Sequence, residues 1–233
     1  MRPFEQDINA LNEALQEMGA LVAQSVHRSV LSLVEKNEDY AHQVLRDEAR
    51  INQFEIQIDD LATSIIAREQ PVAGDMRFVV VAIKINTDLE RMGDLAASIV
   101  ERSLASLRQP QLNVEVNFTD MANLVESMVL TSLDAFVKRD AVLARGILTS
   151  DDGIDKLRNQ INCQMIELMK KDPSTVERAL DYILIARRLE RVADHATNIA
   201  EDIIFMVKGI DVRHRDRAEL AAANGQAEAP VPH

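Results

Sequence analysis

The chain has 233 residues, a formal net charge of -12, one cysteine, and no Trp, two Tyr and six Phe. That acidity argues against binding to nucleic acid, which needs cations to neutralise phosphates, and so few aromatics leave no platforms for stacking bases. Seven Gly, six Pro and an abundance of Ala, Leu, Ile, Val, Glu and Arg favour long helices over sheet.

Apolar residues recur at three and four over residues 4–35 (Ile8, Leu11, Leu15, Met18, Val22, Val26, Val30, Val34), which predicts a long amphipathic helix. "KNED" breaks it, with Asn37 as a cap, and a second helix follows over 39–68. Pro71 and Gly74 in "EQPVAGD" punctuate the chain, and Asp75 is the expected cap of a third helix over 75–107. "RQPQLNVEVNF" has a proline and no helical period, and reads as a linker over 109–118 between a first unit, 1–108, and a second, 119–208. The second unit repeats the plan with helices over 119–138, 140–171 and, after the turn "DPST", up to 208; residues 209–233 read as a disordered tail. Short connections force antiparallel neighbours, so the expected fold is all-α, two tandem three-helix bundles related by internal duplication.

Three side chains carry separate expectations. Cys163, in "INCQMIELM", reads as a small core residue on a buried helix face. A lone thiol also implies reducing surroundings, and with no apolar leader and no window approaching the roughly 18 apolar residues of a span, a soluble cytoplasmic protein is expected. Met128 and Leu133 lie at periodic core positions of the fourth helix, and if exposed they would support a homodimer.

The clearest chemistry lies in the repeat itself: "LERMGDLAASIVERS" at 89–103 and "LERVADHATNIAEDI" at 189–203. At about 100° per residue, Glu90, Asp94 and Glu101 fall within roughly 40° of one another, opposite the apolar Ile85, Leu89, Met92, Ala96 and Ile99. Glu190, Asp194 and Glu201 repeat that line, with Asn198 near the same face. On the preceding helices Glu48, Asn52, Glu55 and Asp59 form one stripe, and Asp151, Asp155, Arg158 and Asn162 another. Antiparallel reversal at equal rise sets Asn52 level with about residue 92 and Asp155 level with about residue 191, so the acidic stripes meet in each half.

Two readings of the stripes stand side by side. They are solvated helix faces, or they bind hard cations through oxygen ligands, which suits iron, manganese, magnesium or calcium. The first line has no basic residue at i+4 to offset its repulsion. Gly93, Ala97 and Ala193 would let a cation approach. His195 points about 100° from Asp194 and reads as a surface or partner residue rather than a ligand.

"REQPVAGDMRFVVVAIKINTDLERMGD", "IARRLERVADHATNIAEDI" and "VKGIDVRH" resemble the PhoU family of bacterial phosphate-uptake and phosphate-signalling regulators, from the first helix to about residue 214. The resemblance implies metal ligands at Glu48, Glu90, Asp94, Asp151, Asp155, Glu190 and Asp194, with Glu101 and Glu201 as further ligands, and no organic cofactor. Asn52 departs from the family pattern, where an acid is expected. The second half is therefore expected to bind metal more tightly unless Arg158 offsets the difference. The resemblance further implies a negative regulator that couples the phosphate ABC transporter's ATPase subunit to the phosphate sensor histidine kinase, restrains uptake, and meets the membrane only through partners. The alternative from the same fold class is a metal-binding accessory of phosphate transport with no transcriptional role. An enzyme is not expected: di-iron bundles place a Glu and ExxH pairs inside the core, and neither Glu90 nor Glu190 has a His at i+3.

Overall fold

The computed structural model describes residues 3–110, 112–210 and 212, so most of the expected tail lies outside the described residues. Among the described residues six α-helices occur and no strand: α1 (Pro3–Val34), α2 (Glu38–Glu69), α3 (Gly74–Leu107), α4 (Phe118–Lys138), α5 (Ala141–Lys171) and α6 (Val176–Lys208), with a 3-10 turn at Pro173–Thr175. Helices α1, α2 and α3 pack on one another, as do α4, α5 and α6, giving the two three-helix bundles. No described helix is long and apolar enough to cross a membrane.

Helices α2, α4 and α5 start where a side chain replaces the missing turn. Asn37 Oδ1 accepts from Asp39 N at 2.9 Å, and Asp140 accepts from Val142 N at 2.8 Å and Leu143 N at 3.0 Å. Those two amide bonds hold the Asp140 carboxyl below its usual range. The cap expected at Asp75 is not made. Helix α3 already begins at Gly74, so Asp75 lies inside the first turn, where its charge still suits the positive end of the helix. Arg139 and Gly209 end their helices in the left-handed conformation, with φ of 52° and 67°.

Within the first bundle the register of α2 against α3 is fixed by two contacts. A Cβ on Gly93 would stand 3.0 Å from Ile51 Cδ1, so these residues are level. Buried Asn86 donates through Nδ2 to Glu55 O at 2.9 Å and Asp59 Oδ1 at 3.0 Å. Asn52 therefore stands opposite residue 92, as equal rise requires. Gly93, Ala97 and Ala193 are buried, which corrects their reading as openings for a cation. At Gly93 the small residue is needed because Ile51 of α2 packs directly against it.

The bundles share one continuous core through two further helix pairs, α1 with α4 and α3 with α6. Between α1 and α4, Gly19 receives Leu133 so closely that a Cβ would lie 1.9 Å from Leu133 Cδ1. Met128 and Leu133 are thus buried inside the molecule and offer no surface to a second copy. Phe78 stacks on Phe136 with centroids 4.8 Å apart, and the Arg139 guanidinium covers the Phe78 ring.

Helices α3 and α6 cross antiparallel, and polar pairs run the length of their seam. Lys84 binds Asp202 at 2.7 Å at one end and Arg102 binds Asp181 at 3.0 Å at the other. Between them His195 Nδ1 lies 2.8 Å from Asp88 Oδ1. His195 is therefore not a surface residue, because α3 covers the face of α6 to which it points. Cys163 is exposed rather than buried. It lies about 200° around α5 from buried Ile161, on the solvent side.

Candidate functional site

The carboxylate groups form on the outer faces of two helix pairs, α2 with α3 and α5 with α6. Leu89, Met92, Ala96 and Ile99 are fully buried, which turns Glu90, Asp94 and Glu101 outward on the opposite side of α3. Glu48 comes from α2 to face Asp94 and Glu101. Its carboxyl is raised above the usual glutamate range by burial first, then by the charges of Asp94 and Glu101. Glu90 is raised by burial, by Asp94 and Glu55, and by a hydrogen bond with Asp94, against a weaker pull from Arg91.

No ion pair among the described residues engages Glu48, Glu90, Asp94 or Glu101. Repulsion within this group is relieved by no ion pair, only by the weaker pull of Arg91 on Glu90 and of Arg188 on Glu101. That donor chemistry, carboxylates alone, fits a hard cation such as magnesium, manganese, calcium or iron. The convergent geometry is not present: among the described residues no three His, Cys, Asp or Glu side chains are arranged to hold a metal ion. Side-chain rotation would have to draw the ligands together.

The second group is built differently. Asp151 and Asp155 of α5 face Asp194 of α6, whose carboxyl is raised by burial, then by Glu190 and Asp151 and more weakly by Asp155, while His195 lowers it. Arg158 reaches across from α5, forms a short ion pair with Glu190 and approaches Asp155 at 3.4 Å. A guanidinium therefore already sits where a cation would neutralise the group. This is the exception attached to the second half's expected advantage, and a donor set that already holds Arg158 fits a metal less well than carboxylates alone.

Glu201 is placed apart from these acids. With Asn198 it lines a cavity beside Lys84, Thr87, Asp88 and Asp202, and it is not among the charges acting on Asp194. Sequence spacing along one helix cannot show this, since two turns separate Glu201 from Asp194 and a different helix lies beside each. Sequence reasoning also passed over Asn86, which orients the Glu55 and Asp59 turn of α2. A polar residue at an apolar-face position of α3, between Ile85 and Leu89, was the available signal.

The PhoU domain model matches residues 15–103 and 118–203, once in each half. The chain is similar to the phosphate-specific transport system accessory protein PhoU homologue of Pseudomonas putida, with 36% identity over 94% of this chain and 86% of that protein. It is similar to PhoU homologue 1 of Thermotoga maritima, with 33% identity over 95% of this chain and 96% of that protein. Among solved structures, the crystal structure of PhoU from Pseudomonas aeruginosa superposes with a TM-score of 0.85 at 33% identity, covering 89% of this chain and all of that one. The phosphate transport system regulatory protein PhoU from Streptococcus pneumoniae gives 0.83 at 30% identity, covering 90% and 99%. Repeat, fold and overall coverage agree, and the chain belongs to the PhoU family.

Proposed function

We propose that this protein is a cytoplasmic accessory of phosphate-specific transport and a negative regulator of the phosphate-starvation response. When phosphate is plentiful it relays the state of the ABC transporter's ATPase subunit to the phosphate sensor histidine kinase, which stays silent, and it restrains uptake. The observation that carries this reading is the doubled family match to relatives named as accessory proteins of phosphate-specific transport, spanning nearly the whole chain. The relatives are named for accessory and regulatory roles, not for catalysis, and the outward-facing acids suit docking better than turnover.

The residues act by presenting charge. Glu48, Glu90, Asp94 and Glu101 hold an acidic surface with no ion pair of its own across α2 and α3, ready for basic side chains of a partner or for a hard metal ion. When bound, such an ion would supply positive charge and tie the two helices together. In the second half Asp151, Asp155, Glu190 and Asp194 present a surface already part-neutralised by Arg158. The two copies therefore offer different charge to the same partner.

The test is a phosphate-starvation reporter in high phosphate, comparing a deletion strain carrying the wild-type protein with one carrying Asp94→Ala, Asp194→Ala. Deletion is expected to switch the reporter on and the wild-type protein to silence it. The double variant is expected to silence it incompletely. A reporter that stays silent on deletion while uptake changes would replace this reading with a transport accessory of no transcriptional role.

A further inference from the structure

The seam between α3 and α6 does not close along its whole length. A cavity of about 570 Å³ remains, walled by Arg91, Asp94 and Ser98 from α3 and by Arg187, Arg188 and Arg191 from α6. Four guanidiniums and one carboxylate line this cavity, in a chain whose net charge is -12; Arg187 and Arg191 also border Glu190 and Asp194 in the adjoining groove. Ion pairing inside the protein does not account for them. Arg28, Arg50, Arg68, Arg102 and Arg158 each reach a carboxylate. Arg91, Arg187 and Arg191 form no hydrogen bond or ion pair with any described residue.

Arg188 is the most constrained of the four. It donates through Nε to Ser98 Oγ at 2.7 Å and through Nη1 to Leu184 O at 3.3 Å, both neutral oxygens. Burial, then Arg102, push its pKa below the ordinary guanidinium range, as Arg191 does more weakly, against a partial pull from Glu101 and Asp181. A half-buried cation held in place by neutral groups has only a partial counter-charge. His195, on the same wall, already faces Asp88.

We propose that this cleft binds a small anion carrying two or more linked phosphoryl groups. Each guanidinium presents a planar fork that matches two oxygens of a phosphoryl group. Arg187 and Arg191 are one turn apart on α6 and Arg91 stands on the opposite wall, a spread that suits a short phosphoryl chain better than a single orthophosphate. The volume suits such a ligand, being within the range of small-molecule sites. No aromatic side chain lines the cleft, so it has no aromatic platform for a base. The cleft shares Asp94 with the proposed acidic surface, but anion binding in it does not require the regulatory partners.

Titration calorimetry on the full chain, freed of metal with EDTA and held at physiological salt, tests this with sodium tripolyphosphate. Orthophosphate and citrate serve as comparators. Tripolyphosphate is expected to bind one per chain and at least about tenfold tighter than either comparator. Arg187→Gln with Arg191→Gln, and separately Arg91→Gln, should each weaken it by about tenfold or more, the usual loss when a charge-assisted fork is removed. Arg50→Gln removes the same charge away from the cleft and should change affinity less than about threefold. Absence of binding overturns the proposal. So does citrate binding equally well, or a loss no greater in the cleft variants than in Arg50→Gln. The three cleft arginines targeted are exposed, so folding is expected to survive; if the double variant does not fold, Arg91→Gln decides alone.

Discussion

Arg158 and Asn52 are the residues by which the two copies of one pattern diverge. Asn52 removes a charge from the first acidic group, and Arg158 adds a compensating one to the second. Replacing Arg158 by Gln should lower the stability of metal-free protein by under about 1 kcal/mol, since the pair is partly exposed. The same variant should be stabilised by added manganese more than wild type, because the group then lacks its own cation; equal shifts of the urea midpoint in both proteins would contradict this. Glu48 makes the opposite prediction. Its folded pKa is raised, so the folded state holds a proton that the unfolded state has lost, and stability falls as pH rises from the ordinary glutamate range through the raised value. Glu48→Gln should therefore stabilise metal-free protein at pH 7 by a few tenths of a kcal/mol, discounted for solvent screening, and the gain should vanish near pH 4. Urea melts at the two pH values check it, and a loss at pH 7 would mean that Glu48 is held by an attractive partner.

At the scale of the helices, Gly19 and Leu133 set the approach of α1 to α4. Alanine at Gly19 gains about 1 kcal/mol of helix propensity but drives its methyl into Leu133, and overpacking costs about 1–3 kcal/mol. Gly19→Ala should thus be net destabilising, while the same change made in Leu133→Ala should be stabilising because the methyl enters the space vacated. A double-mutant cycle by denaturant unfolding reads the change of sign. This contact also marks what the sequence can and cannot show. Helix extents, the repeat and the level of Asn52 against residue 92 are legible because apolar period and rise per residue are local quantities. The pairing of α1 with α4 and of α3 with α6 is not, because Lys84, Asp88, Asp181 and Asp202 look the same in sequence whether they face water or another helix. His195 is misread for that reason, and Cys163 because its apolar neighbours mask which side of α5 it occupies. The acidic stripes are legible as lines; the presence of Arg158 among the second set is legible too, but its reach to Glu190 depends on side-chain conformation.

Across the whole molecule the two bundles behave as one folding unit, since a single cluster of buried side chains runs from Leu11 to Val212. Thermal unfolding should show one transition whose calorimetric and van't Hoff enthalpies agree; two resolved transitions would mean that the bundles fold independently. Repeat-equivalent helices meet each other at the centre, α1 against α4 and α3 against α6, the latter antiparallel. The duplicated chain is in effect a covalent homodimer, its halves related by a half-turn rather than by a step along one axis. A binding surface that is itself two-fold can grip both halves with the same set of residues, whereas a surface present once must settle on one. Because Asn52 and Arg158 make the halves electrostatically unequal, a one-copy surface would have a preferred side, set by one amide and one guanidinium.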